Sequence, residues 1–420
     1  MDPEGQPDHS AGELRRLRVA ILALGLLAVA AKLLVAATTT GTDDLLFFET
    51  FARAIGKVGP VAVYHGSFPV RYNHPPLTGL LLGALDWLTR RGVPFRLAFR
   101  SLAIAADLGS TLLVFEVLAR RVPARTAAVT AALVAVNPVM AIISAFHGNT
   151  DGLFVFLLLL AAWLLLDRDA PAAAGLALAA AAGIKPVPLL LVPVFAALLA
   201  RRPAARRVRF GAAFAAATAA LWAPALAREL PAVRRNVLGY AGHQTDWGVV
   251  LLVRAARLPQ ATVAFLAGPG RWPLVVASVL PAALWAWRRP ERGYAALALS
   301  LVSFLVLTPA WATQYLVWPV VFGHLWQRRW VLSYTAAATA VLGYTYTRWS
   351  GRFPWDWAHP RPADRATVLL GLVAWLVLVA WSLRGLRQAW RDARPRQASS
   401  VPAAPADPAA AGGLRGTVPR

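Results

Sequence analysis

A chain of 420 residues that is 58% apolar and only 15% charged carries too little polar surface to cover a water-soluble globule of its size. Its net charge of +23 would point to nucleic acid in a soluble protein, but the arginines lie in short loops between apolar runs, where they read as topology signals, and no nucleic-acid partner is expected. The lack of cysteine excludes disulfides, thiolate catalysis and cysteine metal sites.

Apolar runs near the ~20 residues that cross a bilayer recur along the chain, as at Arg18 to Ala37, Ala127 to Phe146 and Val368 to Leu386. They lack the alternation of a barrel strand, so the expected fold is all-α: a polytopic transmembrane helical bundle of about eleven to thirteen spans. Residues 1–17 read as a cytoplasmic tail and 18–38 as an uncleaved signal anchor behind Arg15, Arg16 and Arg18. The outer loop 39–97 is long for a bundle connection, and its stripe of Leu45, Leu46, Phe47, Phe48, Phe51, Ile55 and Val58 predicts an interfacial helix. Pro75 to Thr89 is read as a second interfacial or re-entrant helix, because counting it as a span would put the later arginine loops outside. Spans are expected near 98–119, 125–146, 150–166, 171–183 and 186–200, completing an N-terminal catalytic module, 18–200. A second module, 201–392, is expected to hold spans near 207–225, 272–288, 294–307, 313–326, 330–345 and 366–388, followed by a disordered cytoplasmic tail, 393–420. The run Arg201-Arg202-Pro203-Ala204-Ala205-Arg206-Arg207-Val208-Arg209 is the strongest inside marker, and it places the polar clusters on the outer face of a bacterial plasma membrane.

Those clusters are candidates for an active site. Asp43 and Asp44 follow the first span; either caps the next helix or, as a carboxylate at the membrane face, takes a proton from an acceptor hydroxyl. Within the second span Arg100 and Asp107 share a helix face and read as a buried structural pair. His147, Asn149 and Asp151 gather at a break between two apolar runs, where ionisable groups near lipid either pair or work. Lys185 ends an apolar run and suits a phosphate as a point charge. Arg71, His74, His243, Asp246, Gln314 and Tyr315 lie in further outer clusters and are candidates for substrate contact. Asp44, Asp151 and Asp246 offer carboxylates to a divalent metal, but no ligand spacing calls for one, and no cofactor is expected.

The stretch Tyr72-Asn73-His74-Pro75-Pro76-Leu77-Thr78-Gly79 resembles the Tyr-Pro-Pro-Leu-Thr motif of the GT-C superfamily glucosyltransferases that use dolichyl-phosphate-glucose in asparagine-linked glycan assembly. The order continues with Arg100, Asp107, Asn137-Pro138, His147-Gly148-Asn149 and Lys185-Pro186, so the resemblance covers residues 40–200. The later outer loop, Thr313-Gln314-Tyr315-Leu316-Val317-Trp318, lacks the eukaryotic His-Glu-Lys motif and is more like bacterial, mannosyltransferase-like relatives. The resemblance implies an inverting hexosyltransferase that moves mannose or glucose from a polyprenyl-phosphate donor to a glycan or glycolipid acceptor. By it, Asp44, or less directly Asp43, is the general base, and Lys185, Arg71 and His147 hold the donor phosphate. His74, Asn149, Asp151, His243, Asp246, Gln314 and Tyr315 are then substrate contacts. A lipid-linked-sugar flippase or secondary transporter is the alternative, which would place charged residues near mid-bilayer.

Overall fold

The computed structural model describes residues 11–240, 242–244 and 247–394, so Asp246 and most of both expected tails lie outside it. The described chain is almost wholly helical, as expected. The first helix, α1 (Ala11–Thr38), has 28 residues and at 1.5 Å per residue is about 42 Å long, more than a bilayer core needs. A two-residue strand, β1 (Gly41–Thr42), leads into the amphipathic α2 (Asp43–Ala62), which buries Leu45, Phe48, Phe51, Ala52 and Ile55 and leaves Val58 exposed. Within α2 the chain kinks at Gly59, whose φ of 88° suits glycine, ahead of Pro60. The next helix, α3 (Pro76–Thr89), has 14 residues, about 21 Å, which is too short to span, and it packs on α2.

Long helices then alternate with shorter ones. After α4 (Phe95–Leu118) and α5 (Ala124–Ala135), a short α6 (Pro138–Ala141) runs into a π-turn at Ile142–His147. α7 (Asp151–Leu166), α8 (Pro171–Ile184), α9 (Val192–Leu199) and α10 (Ala204–Val233) follow. Two short helices, α11 (Gly248–Ala255) and α12 (Gln260–Ala267), precede α13 (Arg271–Arg288) and α14 (Gly293–Leu307). The chain ends with α15 (Val320–Trp326), α16 (Arg328–Ser350), a second short strand β2 (Trp357–Ala358) and α17 (Arg365–Ala393).

Among the described residues six helical stretches are long and apolar enough to cross a membrane, at 11–38, 95–118, 124–147, 204–238, 290–307 and 365–393. The bent pair α12 and α13 would make a seventh. The expected eleven to thirteen spans also count shorter apolar runs, α7 and α8 among them. At 16 and 14 residues, α7 and α8 reach only about 24 and 21 Å, and they are packed inside the bundle. Close packing there uses small residues: a Cβ at Gly175 of α8 would lie 2.5 Å from the Phe210 carbonyl oxygen of α10.

Contacts divide the helix ends into two poles. At one, Arg121 pairs with Asp167 at 2.7 Å, Arg206 with Asp169 at 2.6 Å, and Arg289 donates to the Asp392 carbonyl at 2.7 Å. The other pole gathers the ends of α1, α6 and α8 with the starts of α2, α4 and α7. There Thr42 Oγ1 donates to the His147 carbonyl at 2.8 Å, and Thr78 Oγ1 to that of Ile184 at 3.0 Å.

The expected Arg100–Asp107 pair does not form. Seven residues along a helix separate two side chains by about 10.5 Å of rise, too far for contact on one face. Asp107 instead meets Lys32 of α1 at 2.6 Å, both buried. Arg100 donates to the carbonyls of Ala36, Thr39 and Ala145, satisfying the open end of α1 and tying it to the π-turn.

Candidate active site

Local sequence aims the polar residues of this second pole. Asn137 accepts from the backbone N–H groups of Val139 and Met140, and with Pro138 in the first turn it starts α6. The π-turn then ends on Gly148, at φ 73°, where a Cβ would crowd Leu45 and Arg100. The tight reversal turns His147 inward and lets Asn149 follow it into the same space. Neither aspartate at the start of α2 is the N-cap, since Thr42 holds that position, and both sit in the first turn, where the helix dipole favours negative charge.

The two aspartates part ways. Asp44 Oδ2 lies 3.1 Å from His147 Nε2, accepts from Asn149 Nδ2 at 3.0 Å and is 3.5 Å from Gln314 Nε2. A carboxylate only accepts, so the His147 proton facing it is on Nε2. His147 Nδ1 lies 2.6 Å from the Tyr346 hydroxyl, which is 3.1 Å from Thr313 Oγ1, completing a chain across four segments. Asp43 turns away: Trp357 Nε1 donates to it at 2.9 Å and His359 Nδ1 lies at 2.6 Å. These contacts pin β2 beside β1, whose parallel pairing matches Gly41 with Trp357.

Lys185 lies in the same neighbourhood but on its own support. Its Nζ donates to Asp151 Oδ2 at 2.7 Å, and Trp318 Nε1 donates to Asp151 Oδ1 at 2.5 Å. Asp151 is wholly buried, so its charge is compensated by these two donors and by the start of α7. Tyr315 stacks on Trp318 at 4.2 Å, and its ring centroid is 5.8 Å from Lys185 Nζ.

The Asp44 side chain keeps 37% of its surface open although His147 and Asn149 both hold its Oδ2. Burial alone would raise its pKa, but the His147 hydrogen bond and charge, the Lys185 charge and the Asn149 hydrogen bond outweigh it and hold the carboxyl below the usual range. His74 behaves oppositely. Burial, helped by the Lys185 charge, pushes its imidazole down to about 3, so it is neutral and acts as a flat surface on Phe48, 4.6 Å away. Tyr240 is tied to this region by a hydrogen bond with Asn73, and burial and the Asp44 charge raise its hydroxyl.

Of the expected residues, the fold brings together Asp44, His147, Asn149, Asp151, Lys185, Gln314 and Tyr315. His243 is exposed, lies edge-on to Tyr240 at 6.5 Å and takes no part in the Asp44 network. Arg71 is exposed and makes no ion pair among the described residues; it is near enough for its charge to act on Tyr240. Tyr346 was missed. It sits in α16 among Tyr344, Thr345 and Thr347, a polar patch at the end of an apolar helix that could have marked it. Among the described residues no three His, Asp or Glu side chains gather as a metal would require.

A polar cluster at one pole of a helical bundle, with a partly exposed carboxylate near a supported lysine, agrees with what the sequence comparisons find. Residues 72–312 match the model of glycosyltransferase family 87. The chain belongs to that family. Family 87 is of GT-C type, so the chain is a membrane glycosyltransferase. No curated protein matches the chain. The match begins after Asp43 and Asp44 and reaches Ala312, farther into the second half than the resemblance noted above.

Proposed function

We propose that this family 87 enzyme transfers a hexose, mannose or glucose, from a polyprenyl-phosphate donor to a glycan or glycolipid acceptor, with inversion and with Asp44 as general base. The observation that carries the reading is the Asp44 carboxylate, partly exposed yet held by His147 and Asn149. A base must be ionised and must have a face free for its substrate, and Asp44 meets both conditions.

In the reaction the acceptor hydroxyl oxygen forms a bond to the anomeric carbon from the side opposite the phosphate. The bond between that carbon and the phosphate oxygen breaks, its electron pair leaving with the phosphate, and the hydroxyl proton passes to Asp44. His147, with both ring nitrogens engaged by Asp44 and Tyr346, orients the base. Lys185 is the donor-phosphate group, its ammonium fixed by Asp151 and drawn toward developing charge on the leaving oxygens. Gln314 and Asn149 are placed to meet sugar hydroxyls, and the Tyr315 and His74 rings to stack on a sugar face.

The arginine-rich pole supports a cytoplasmic orientation, and with it an outer-facing site in a bacterial plasma membrane. The test is transfer of radiolabelled sugar from polyprenyl-phosphate-mannose and polyprenyl-phosphate-glucose to membrane extracts by purified protein. Product with wild type and none with Asp44→Asn, in protein that still binds donor, supports the assignment. Transfer by Asp44→Asn near the wild-type rate sinks it. Labelled lipid crossing proteoliposomes without transfer would favour the flippase.

A further inference from the structure

The segment that follows the Gly59 kink returns along the π-turn Arg234–Leu238 at the end of α10, and between them lies a recess of about 420 Å³. Tyr64, His65, Phe68, Arg71, Arg235 and Asn236 are among its walls. Its chemistry is one-sided. Arg71 and Arg235 reach it from segments 164 positions apart in the chain, both exposed, and neither has a carboxylate partner among the described residues. The nearby acid, Glu229, is occupied by His65. Arg235 Nε is 3.3 Å from the Asn236 side-chain oxygen, and Asn236 Nδ2 donates to the Tyr64 carbonyl at 3.3 Å, so this wall is anchored.

Two guanidinium groups without acids, converging on a polar hollow, fit an anion with several oxygens, because their planar forks can each donate twice. We infer that this recess is a second phosphate-binding site of the enzyme, separate from Lys185, taking a phosphate ester with room for the group it carries. The inference rests on the donor-phosphate role given to Lys185 above. A leaving phosphate must be bonded to the carbon that the acceptor attacks beside Asp44. One of its walls, Tyr72, stands edge-on to His74 at 5.5 Å. Tyr240, bonded to Asn73, feels the charges of both Arg71 and Asp44, so the recess belongs to the same pole as the base. A phosphate ester resting on Arg71 and Arg235 is therefore bound at the end of the molecule that carries Asp44. That phosphate belongs either to the acceptor or to a bilayer headgroup, and Arg71 serves it rather than the donor.

The test is calorimetric titration of glycerol 3-phosphate, with glycerol as the uncharged control, into the full chain in neutral detergent. The doubly substituted Arg71→Gln, Arg235→Gln protein should bind glycerol 3-phosphate at least tenfold more weakly than wild type, while Lys185→Met should bind as wild type does. Equal affinity in wild type and the double variant overturns the proposal, and so does loss of binding in Lys185→Met, which would put the anion at the donor site. Reconstitution into nanodiscs identifies the source. Suppression of glycerol 3-phosphate binding by phosphatidylglycerol but not phosphatidylcholine assigns the recess to a headgroup. Binding that persists in both, with glycerol 3-phosphate competing against acceptor in transfer assays, assigns it to the acceptor. The titrations need no turnover, so they stand even if the transferase chemistry proposed above fails.

Discussion

The helix α7 carries an aspartate at each end, and the two ends are put to different use. Asp167, just past its C-terminus, lies where the helix dipole repels negative charge, and it is held by Arg121 at 2.7 Å and the Tyr294 hydroxyl at 2.5 Å. Arg121 also donates to the Val117 carbonyl at 2.7 Å, so this aspartate is tied into the bundle from both sides, as a structural clasp requires. Asp151, at the N-terminus, lies where the dipole welcomes charge, and it supports a single ammonium and an indole. Lys185 is left with donors to spare, since an ammonium offers three and Asp151 takes one. Asp167 thus closes a pair inside the bundle, whereas Asp151 holds an ammonium that is still free to donate to the phosphate proposed above. Asp44 shows the same feature beside it, with 37% of its side chain uncovered.

That contrast is open to direct attack, and the largest effect should come from the open carboxylate. Asp44→Asn removes the proposed proton acceptor with little change of shape, and kcat for sugar transfer should fall by about 10²–10⁴, the usual worth of a general base. Thermal denaturation should barely move. A fall in stability matching the fall in rate would make Asp44 a clasp like Asp167. Lys185→Met comes next. The charge proposed to meet the departing phosphate is lost, and kcat/KM for donor should drop by about 10²–10³. Because Asp151 is then buried with one donor fewer, this variant should also lose stability, on the order of 1–3 kcal/mol. Denaturation in detergent checks the second effect.

His147→Gln tests electrostatics rather than presence. Burial raises the Asp44 pKa while His147, Lys185 and Asn149 lower it, and the lowering wins. Only the ionised base is active, so in wild type the acid limb of kcat/KM should lie below the ordinary Asp value of about 3.9. Removing the imidazole leaves burial opposed by less, and the limb should move toward higher pH. An unmoved limb would mean that some other group titrates. At the opposite pole, Asp167→Asn should reverse the pattern, with a stability loss of about 1–3 kcal/mol and kcat within twofold of wild type.

Much of this arrangement is legible along the chain. Apolar runs and arginine loops place the helices, and the breaks at 147–151 and 183–188 mark where polar groups surface together, since a chain leaves the apolar phase only where it must. What the chain hides is partnership. Lys32 and Asp107 are 75 positions apart, His147 and Tyr346 199, and Asp43 and Trp357 314, and no periodicity links such positions. The recess at Arg71 and Arg235 is hidden for the same reason, as each arginine alone reads as one more topology signal. Crossing number is hidden too. Apolar content does not fix helix length, and α7 and α8, which read as spans, are 16 and 14 residues long and packed inside the bundle.

Adjacent aspartates are the sharpest case of hidden partnership, because sequence treats Asp43 and Asp44 as near equals. One residue rotates a side chain about 100° around a helix, so neighbours in the first turn of α2 face different surroundings. Asp44 meets His147 and Asn149, whereas Asp43 meets Trp357 and His359 and keeps only 14% of its side chain exposed. Asp43→Asn should therefore have the smallest effect of the series. The amide oxygen can still accept from the Trp357 indole, and its loss of charge weakens only the contact with the largely exposed His359. Transfer should stay within about threefold of wild type, and stability within about 1 kcal/mol, since the His359 half of the pair lies in solvent. A hundredfold loss of transfer in Asp43→Asn, with Asp44→Asn active, would exchange the roles of the two residues and assign the base to the strand-pinning carboxylate.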